Sequence, residues 1–119
     1  MWLDALDELR GRRVLITGAS SGIGAATARA LIECGATVAM HYSSNRANAE
    51  RLVGEFRQQG GDALALHADL GVPGAGTVLT EAAVGAMGGI DILINNAGAA
   101  LARVAVDQFD ADQARRIVH

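Results

Sequence analysis

The run Thr17-Gly18-Ala19-Ser20-Ser21-Gly22-Ile23-Gly24 stands between a short apolar stretch, Val14-Leu15-Ile16, and a helix-patterned segment that continues to Cys34. A strand, a glycine turn and a helix in that order make a cradle for phosphate. The helix N-terminus offers unpaired N–H groups and about half a positive charge, so a pyrophosphate can dock there without a basic side chain. In this reading Gly18 takes the positive φ of a tight turn, Gly22 lacks the Cβ that would hold a phosphate off, and Gly24 lets the first helical turn lie against the strand. Ser20 and Ser21 are also N-cap candidates, so a tight turn without a ligand fits the same residues. The spacing is Gly-x-x-x-Gly-x-Gly rather than Gly-x-Gly-x-x-Gly. A mononucleotide P-loop is disfavoured, because that loop needs a lysine and this chain has none.

The elements that must position this turn are read from hydrophobic periodicity. Strands are expected over residues 13–17, 37–41, 63–67 and 90–94, and helices over 22–34, 46–59 and 77–87. Gly35 stops the first of these helices, Ser43, Ser44 and Asn45 cap the second, and Gly60-Gly61 end it. Leu3, Leu6 and Leu9 recur at helical spacing and predict a short helix packed on the body, and a last helix starts near Asp110. Strands alternating with helices imply right-handed crossovers and a parallel sheet covered on both faces, a doubly wound α/β fold.

Composition narrows the function classes. With 119 residues, half of them apolar, the chain is expected to be one soluble domain over residues 1–119. Its net charge is −3 and its basic residues, all arginine, are scattered, which leaves no footprint for nucleic acid or a membrane surface. No apolar stretch approaches the ~20 residues that span a bilayer. The opening segment carries Asp4, Asp7 and Glu8 where a signal peptide would be basic and then apolar, so a cytoplasmic location is expected. Cys34 is the only cysteine, which rules out an internal disulfide, and it is expected to be a small core residue. His41, His67 and His119 show no metal-ligand spacing.

Asn95-Asn96-Ala97-Gly98 follows the fourth expected strand directly, at the carboxyl end where open α/β sheets bind ligands. Together, Thr17 to Gly24, the Asp69-Leu70 step and this segment resemble the short-chain dehydrogenase/reductase family, whose motifs are TGxxxGxG and NNAG at this separation. The resemblance implies a Rossmann-like doubly wound parallel sheet, truncated after about four strands, that binds a nicotinamide dinucleotide. Gly18, Ser20, Ser21, Gly22, Ile23 and Gly24 match the turn that holds the adenosine ribose and pyrophosphate. Asp69 and Leu70 match the pair beside the adenine ring, and Asn96, Ala97 and Gly98 the segment beneath the cofactor's ribose. Asn95 matches a structural position that bonds across to neighbouring strands. At the end of the second strand, NAD-specific members carry an acidic residue where this chain has Tyr42. Without that carboxylate, Tyr42, Ser43, Ser44, Asn45 and Arg46 form the candidate site for a 2′-phosphate. NADP is therefore the expected cofactor, with NAD as the alternative.

The resemblance also implies hydride transfer between NADP(H) and a carbonyl or alcohol, carried out by a Ser, a Tyr and a Lys. The only tyrosine here is Tyr42 and no lysine is present, so the chain alone is not expected to be catalytic, and no catalytic residue is assigned. It reads as the cofactor-binding part of an oxidoreductase, or alternatively as a non-catalytic NADP(H)-binding module or an inactive fragment. The fourth strand would leave Ile90, Ile92, Leu93 and Ile94 on an apolar sheet edge, which predicts self-association or docking with a complementary half. The substrate is a small molecule of unknown identity.

Overall fold

Alternation of apolar side chains along each strand builds the core on both faces of the sheet. In β1 (Arg13–Thr17) Val14 and Ile16 face one side and Leu15 the other. The same alternation recurs in β2 (Thr37–Tyr42), with Val38 and Met40 against Ala39, in β3 (Asp62–His67), with Ala63 and Ala65 against Leu64 and Leu66, and in β4 (Ile92–Asn95), with Ile92 and Ile94 against Leu93. In the computed structural model, which describes residues 8–96, these strands pair in parallel in the order β3-β2-β1-β4. Leu15 lies in register with Ala39 on one side and Leu93 on the other.

Helices α1 (Gly22–Glu33) and α2 (Arg46–Gln58) cover the first face. Ala28, Ile32, Leu52, Val53 and Phe56 bury there against Val14, Ile16, Val38 and Met40. Helix α3 (Ala75–Met87) covers the second, where Leu79 and Ala83 meet Leu15, Ala39 and Leu70. The sheet is thus wound on both sides, as the alternation of elements predicts.

The boundaries depart from expectation where side chains intervene. β4 begins at Ile92, not at residue 90, because Asp91 is taken up by Arg13. The Asp91 carboxylate accepts from the Arg13 backbone N–H at 2.8 Å and from the Arg13 guanidinium at 3.0 and 3.1 Å, while the Asp91 N–H donates to the Arg13 carbonyl at 2.8 Å. This pair locks the amino ends of β1 and β4, at the opposite end of the sheet from the glycine turn. The Arg13 guanidinium holds the Asp91 carboxyl down to about 2, so the lock is ionised at any pH near neutrality.

α3 begins at Ala75, after Gly74 enters the left-handed region at φ 83° and starts the helix with no side-chain cap. Cys34 corrects an expectation: it is the half-buried C-cap of α1 and belongs to neither core cluster. The Schellman-like exit from α1 puts the glycine one residue later, at Gly35 with φ 88°, and leaves Cys34 at the helix rim. The helix expected around Leu3 to Leu9 lies almost wholly outside the described residues, and the one near Asp110 entirely so. No described helix is long and apolar enough to cross a membrane.

Candidate functional site

The carboxyl ends of β1 and β4 meet at the Thr17–Asn95 pair, and the glycine turn leaves β1 directly above it. The turn is pinned by its neighbours. Gly18, at φ 62°, donates its N–H to His41 Nδ1 at 3.0 Å, and the Ala19 N–H donates to the His41 carbonyl at 2.9 Å. The Gly18 carbonyl accepts from Asn96 Nδ2 at 3.1 Å, and the Asn96 N–H donates to the Thr17 hydroxyl at 2.9 Å. From α2, Asn48 Nδ2 donates to the Ser20 carbonyl.

The start of α1 is left open by contrast. Ser21 is its N-cap in extended conformation, yet the serine side chain makes no capping bond, and the first turn holds no acidic residue. Ser21, Gly22 and Ile23 are exposed, Ile23 to 76 %. An uncapped helix N-terminus at the surface suits an anion, since its N–H groups and the positive end of the helix dipole face solvent.

The glycines divide the work. A Cβ on Gly22 would meet nothing within 4 Å, so Gly22 opens on the space in front of the helix. Gly24 is buried, and a Cβ there would run into the Gly18 carbonyl oxygen, Asn96 Nδ2 at 2.5 Å and Ala19 Cα at 2.9 Å. Gly24 therefore allows α1 to approach β1 and the end of β4 at once.

The remaining residues singled out from the sequence fall around this turn. Asp69 is exposed at the end of the β3 segment and accepts from the Gly71 N–H at 3.0 Å, while Leu70 is buried in the second core cluster and can face a ligand only through its backbone. A cleft of about 360 Å³, lined by His67, Asp69, Val72, Pro73 and Val78 among others, opens beside the Asp69 carboxylate. Tyr42 is buried with its ring centroid 5.4 Å from that of His67, and His67 Nε2 donates to the Ser43 carbonyl at 2.9 Å. Ser44 is exposed, and Asn45 caps α2 by accepting from the Asn48 N–H at 3.3 Å. Arg46 is 74 % exposed and pairs with Glu50 at 2.9 Å, within electrostatic reach of Tyr42. Ala97 and Gly98 lie outside the described residues. Asn95 sits 3.5 Å from the Thr17 hydroxyl and is exposed, so the carboxyl end of β4 places Asn95 and Asn96 together beside the turn.

Two residues that bear on the site escaped sequence reading. His41 is 2 % exposed and uses both ring nitrogens, Nδ1 toward Gly18 and Nε2 toward the Ala68 carbonyl at 2.8 Å. Because a carbonyl can only accept and an N–H can only donate, the ring is neutral with its proton on Nε2. Burial pushes its pKa down from the ordinary value of 6.5. A polar residue inside the run Val38-Ala39-Met40-His41 was the available signal. Asn48 has none, since an asparagine in a first helical turn reads as surface. Among the described residues no group of His, Cys, Asp and Glu could hold a metal ion.

The family model for short chain dehydrogenase matches residues 12–119. Versicolorin reductase of Emericella nidulans is 42% identical over 106 residues, which is 86% of this chain and 40% of that protein. Two solved structures superpose with a TM-score of 0.72: an NADH-dependent reductase complexed with NAD, 41% identical, and a blue fluorescent protein from a metagenomic library in complex with NADPH, 39% identical. The first alignment covers 78% of this chain and 39% of the other, the second 76% and 37%. The chain thus spans less than half the length of these three relatives. With the pinned glycine turn, the strand order and the match along nearly its full length, the chain belongs to the short chain dehydrogenase family.

Proposed function

We propose that this chain binds a nicotinamide dinucleotide across the carboxyl ends of its strands, and that it is the cofactor-holding part of an oxidoreductase moving hydride between NADP(H) and a carbonyl or alcohol substrate. The observation that carries the reading is the glycine turn: pinned by His41, Asn48 and Asn96, yet with the N-terminus of α1 uncapped and Gly22 bare toward solvent. When bound, the nucleotide supplies the hydride chemistry. The α1 N–H groups hold the pyrophosphate, with Ser20, Ser21 and Ile23 walling the ribose side. The exposed Asp69 carboxylate accepts from the exocyclic amine of adenine, the Leu70 backbone meets the ring, and the adjoining apolar cleft receives its flat face. Asn96, Ala97 and Gly98 form the floor under the ribose. The relatives complexed with NAD and with NADPH support the class of cofactor.

The preference for NADP rests on the loop after β2. Tyr42 stands where a carboxylate would repel a 2′-phosphate, and Ser43, Ser44, Asn45 and Arg46 surround that place with donors. Arg46 has only an exposed partner on its own helix to give up, and such i,i+4 pairs are weak. Calorimetric titration is expected to show NADPH binding about tenfold tighter than NADH, and Arg46→Ala to remove most of that difference. Unchanged NADPH affinity in Arg46→Ala would take Arg46 out of the site.

Partners follow from the sheet edge. Among the described residues β4 pairs only with β1, and Ile92, Leu93 and Ile94, on its two faces, are only half-buried. We read this edge as the place where a further strand pairs, from a second copy or from a complementary half. Sedimentation velocity well above micromolar concentration is expected to show association, and a sharp monomer with a cooperative melt would count against it. A cytoplasmic location belongs to the same proposal. One observation favours a second reading, in which these residues hold the nucleotide without turnover: the only tyrosine, Tyr42, is buried against His67, and the chain has no lysine to pair with it.

A further inference from the structure

We infer that His41 is a positioning residue that joins the glycine turn to the Asp69 loop as one nucleotide frame, and that protonating its ring uncouples them. The inference builds on the nucleotide reading above for its consequence, though not for its geometry. Nδ1 accepts from Gly18 at 3.0 Å, Nε2 donates to Ala68 at 2.8 Å, and the His41 carbonyl takes the Ala19 N–H at 2.9 Å. Gly18 opens the turn that leads to the α1 N-terminus, and Ala68 immediately precedes Asp69. One buried ring therefore sets the distance between the proposed pyrophosphate and adenine subsites.

Chemistry makes this link sensitive to pH. A second ring proton would sit on Nδ1 and face the Gly18 N–H, turning an acceptor into a donor opposed to a donor. The titratable neighbour acting on His41 is His67 at the end of β3, whose positive charge would oppose another. Asp69, past Ala68, turns an oxygen to the Gly71 N–H. β1 and the glycine turn bring no titratable side chain to this end of the sheet. Arg29, Arg46, Glu50, Arg51 and Glu55 of α1 and α2 are engaged in surface ion pairs, and Glu81 of α3 is exposed. The folded protein therefore resists a proton that the unfolded chain accepts. Stability is full above the ordinary value of 6.5 and falls as pH drops below it, because there the unfolded state binds more protons.

The test uses the full chain, first without nucleotide. In ¹⁵N-labelled protein the His41 ring is expected to show the neutral Nε2–H form, and the Gly18 amide resonance is expected to move with the His41 titration. His41→Asn offers an acceptor oxygen at the place of Nδ1 but cannot titrate, so the Gly18 amide should keep its position and lose its pH dependence. His41→Leu removes the acceptor. With NADPH and NADH added near neutral pH, His41→Leu is expected to bind about tenfold more weakly than the parent, and His41→Asn within about threefold of it. A Gly18 amide indifferent to the state of His41, or a folded His41→Leu protein with parental affinity, overturns the inference. If His41→Leu fails to fold, the parent and His41→Asn titrations decide alone. A parent chain whose Gly18 amide follows His41 but which binds neither nucleotide refutes the proposed function while leaving the positioning role standing.

Discussion

Gly24→Val is expected to lower affinity for NADPH and NADH by at least about a hundredfold, roughly the loss of two hydrogen bonds to a charged group. The reason is local and rigid. A Cβ at Gly24 has no free direction: it meets the Gly18 carbonyl oxygen and the Ala19 Cα of the pinned turn and the Asn96 amide that clamps it. To fit a side chain, α1 must move away from β1, and with it go the first-turn N–H groups that face the proposed pyrophosphate. Gly22→Ala makes the matched control. Its Cβ meets nothing within 4 Å, so the fold is kept at a cost of about 1 kcal/mol for a side chain at φ 60°, while a methyl now projects toward the ligand. Calorimetric titration of both variants, with circular dichroism to confirm folding, separates the two effects. A folded Gly24→Val protein that binds nucleotide as tightly as the parent would mean the diphosphate lies elsewhere.

Phe56→Ala is expected to cost about 3–5 kcal/mol, comparable with the whole stability of a small domain. Phe56 is fully buried where α2 lies on the sheet, in one cluster with Ile32, Val38, Met40 and Val53, and the Arg29 guanidinium sits 5.2 Å from its ring centroid. Beside it Gly61 packs so closely on Ile32 Cγ2 and on the Phe56 carbonyl that a Cβ there would clash, so the α2 exit fits tightly against α1. Loss of Phe56 also loosens α2, the helix that brings Asn48 to the Ser20 carbonyl and Asn45 to the head of the β2 loop. Urea unfolding should show the full loss for alanine and a smaller one for Phe56→Leu, which fills part of the space. An alanine variant within about 1 kcal/mol of the parent would remove Phe56 from the centre of the core.

Much of this architecture was legible from local patterns. The strand at Arg13–Thr17, the helices beginning at Gly22 and Arg46, and the glycines after each helix follow from periodicity and capping, which act over a few residues. Asn45 as the cap of α2 is of the same kind, a side chain bonding three residues ahead. The glycine turn was recognisable as well, since few reasons other than a close approach put so many glycines where a helix starts. Where the expectations failed, one failure came from a distant partner and one from the way a helix ends. Ile90 has the residue type of a strand, but Asp91 is drawn into the Arg13 pair and the ladder starts at Ile92. Cys34 has the type of a core residue, but the helix exit through Gly35 leaves it at the rim.

The division between the two sources has a physical basis. Sequence alone determined which segments are strands, turns and helices, and that a glycine-rich turn stands at the head of the first long helix, because propensity, periodicity and glycine conformation are properties of neighbouring residues. Only the tertiary structure decided the order β3-β2-β1-β4 and the different tasks of Gly22 and Gly24. It alone revealed the clamps that His41 and Asn48 place on the turn. Those contacts join residues more than twenty positions apart, and parallel register and helix packing set them, which neighbouring residues do not specify.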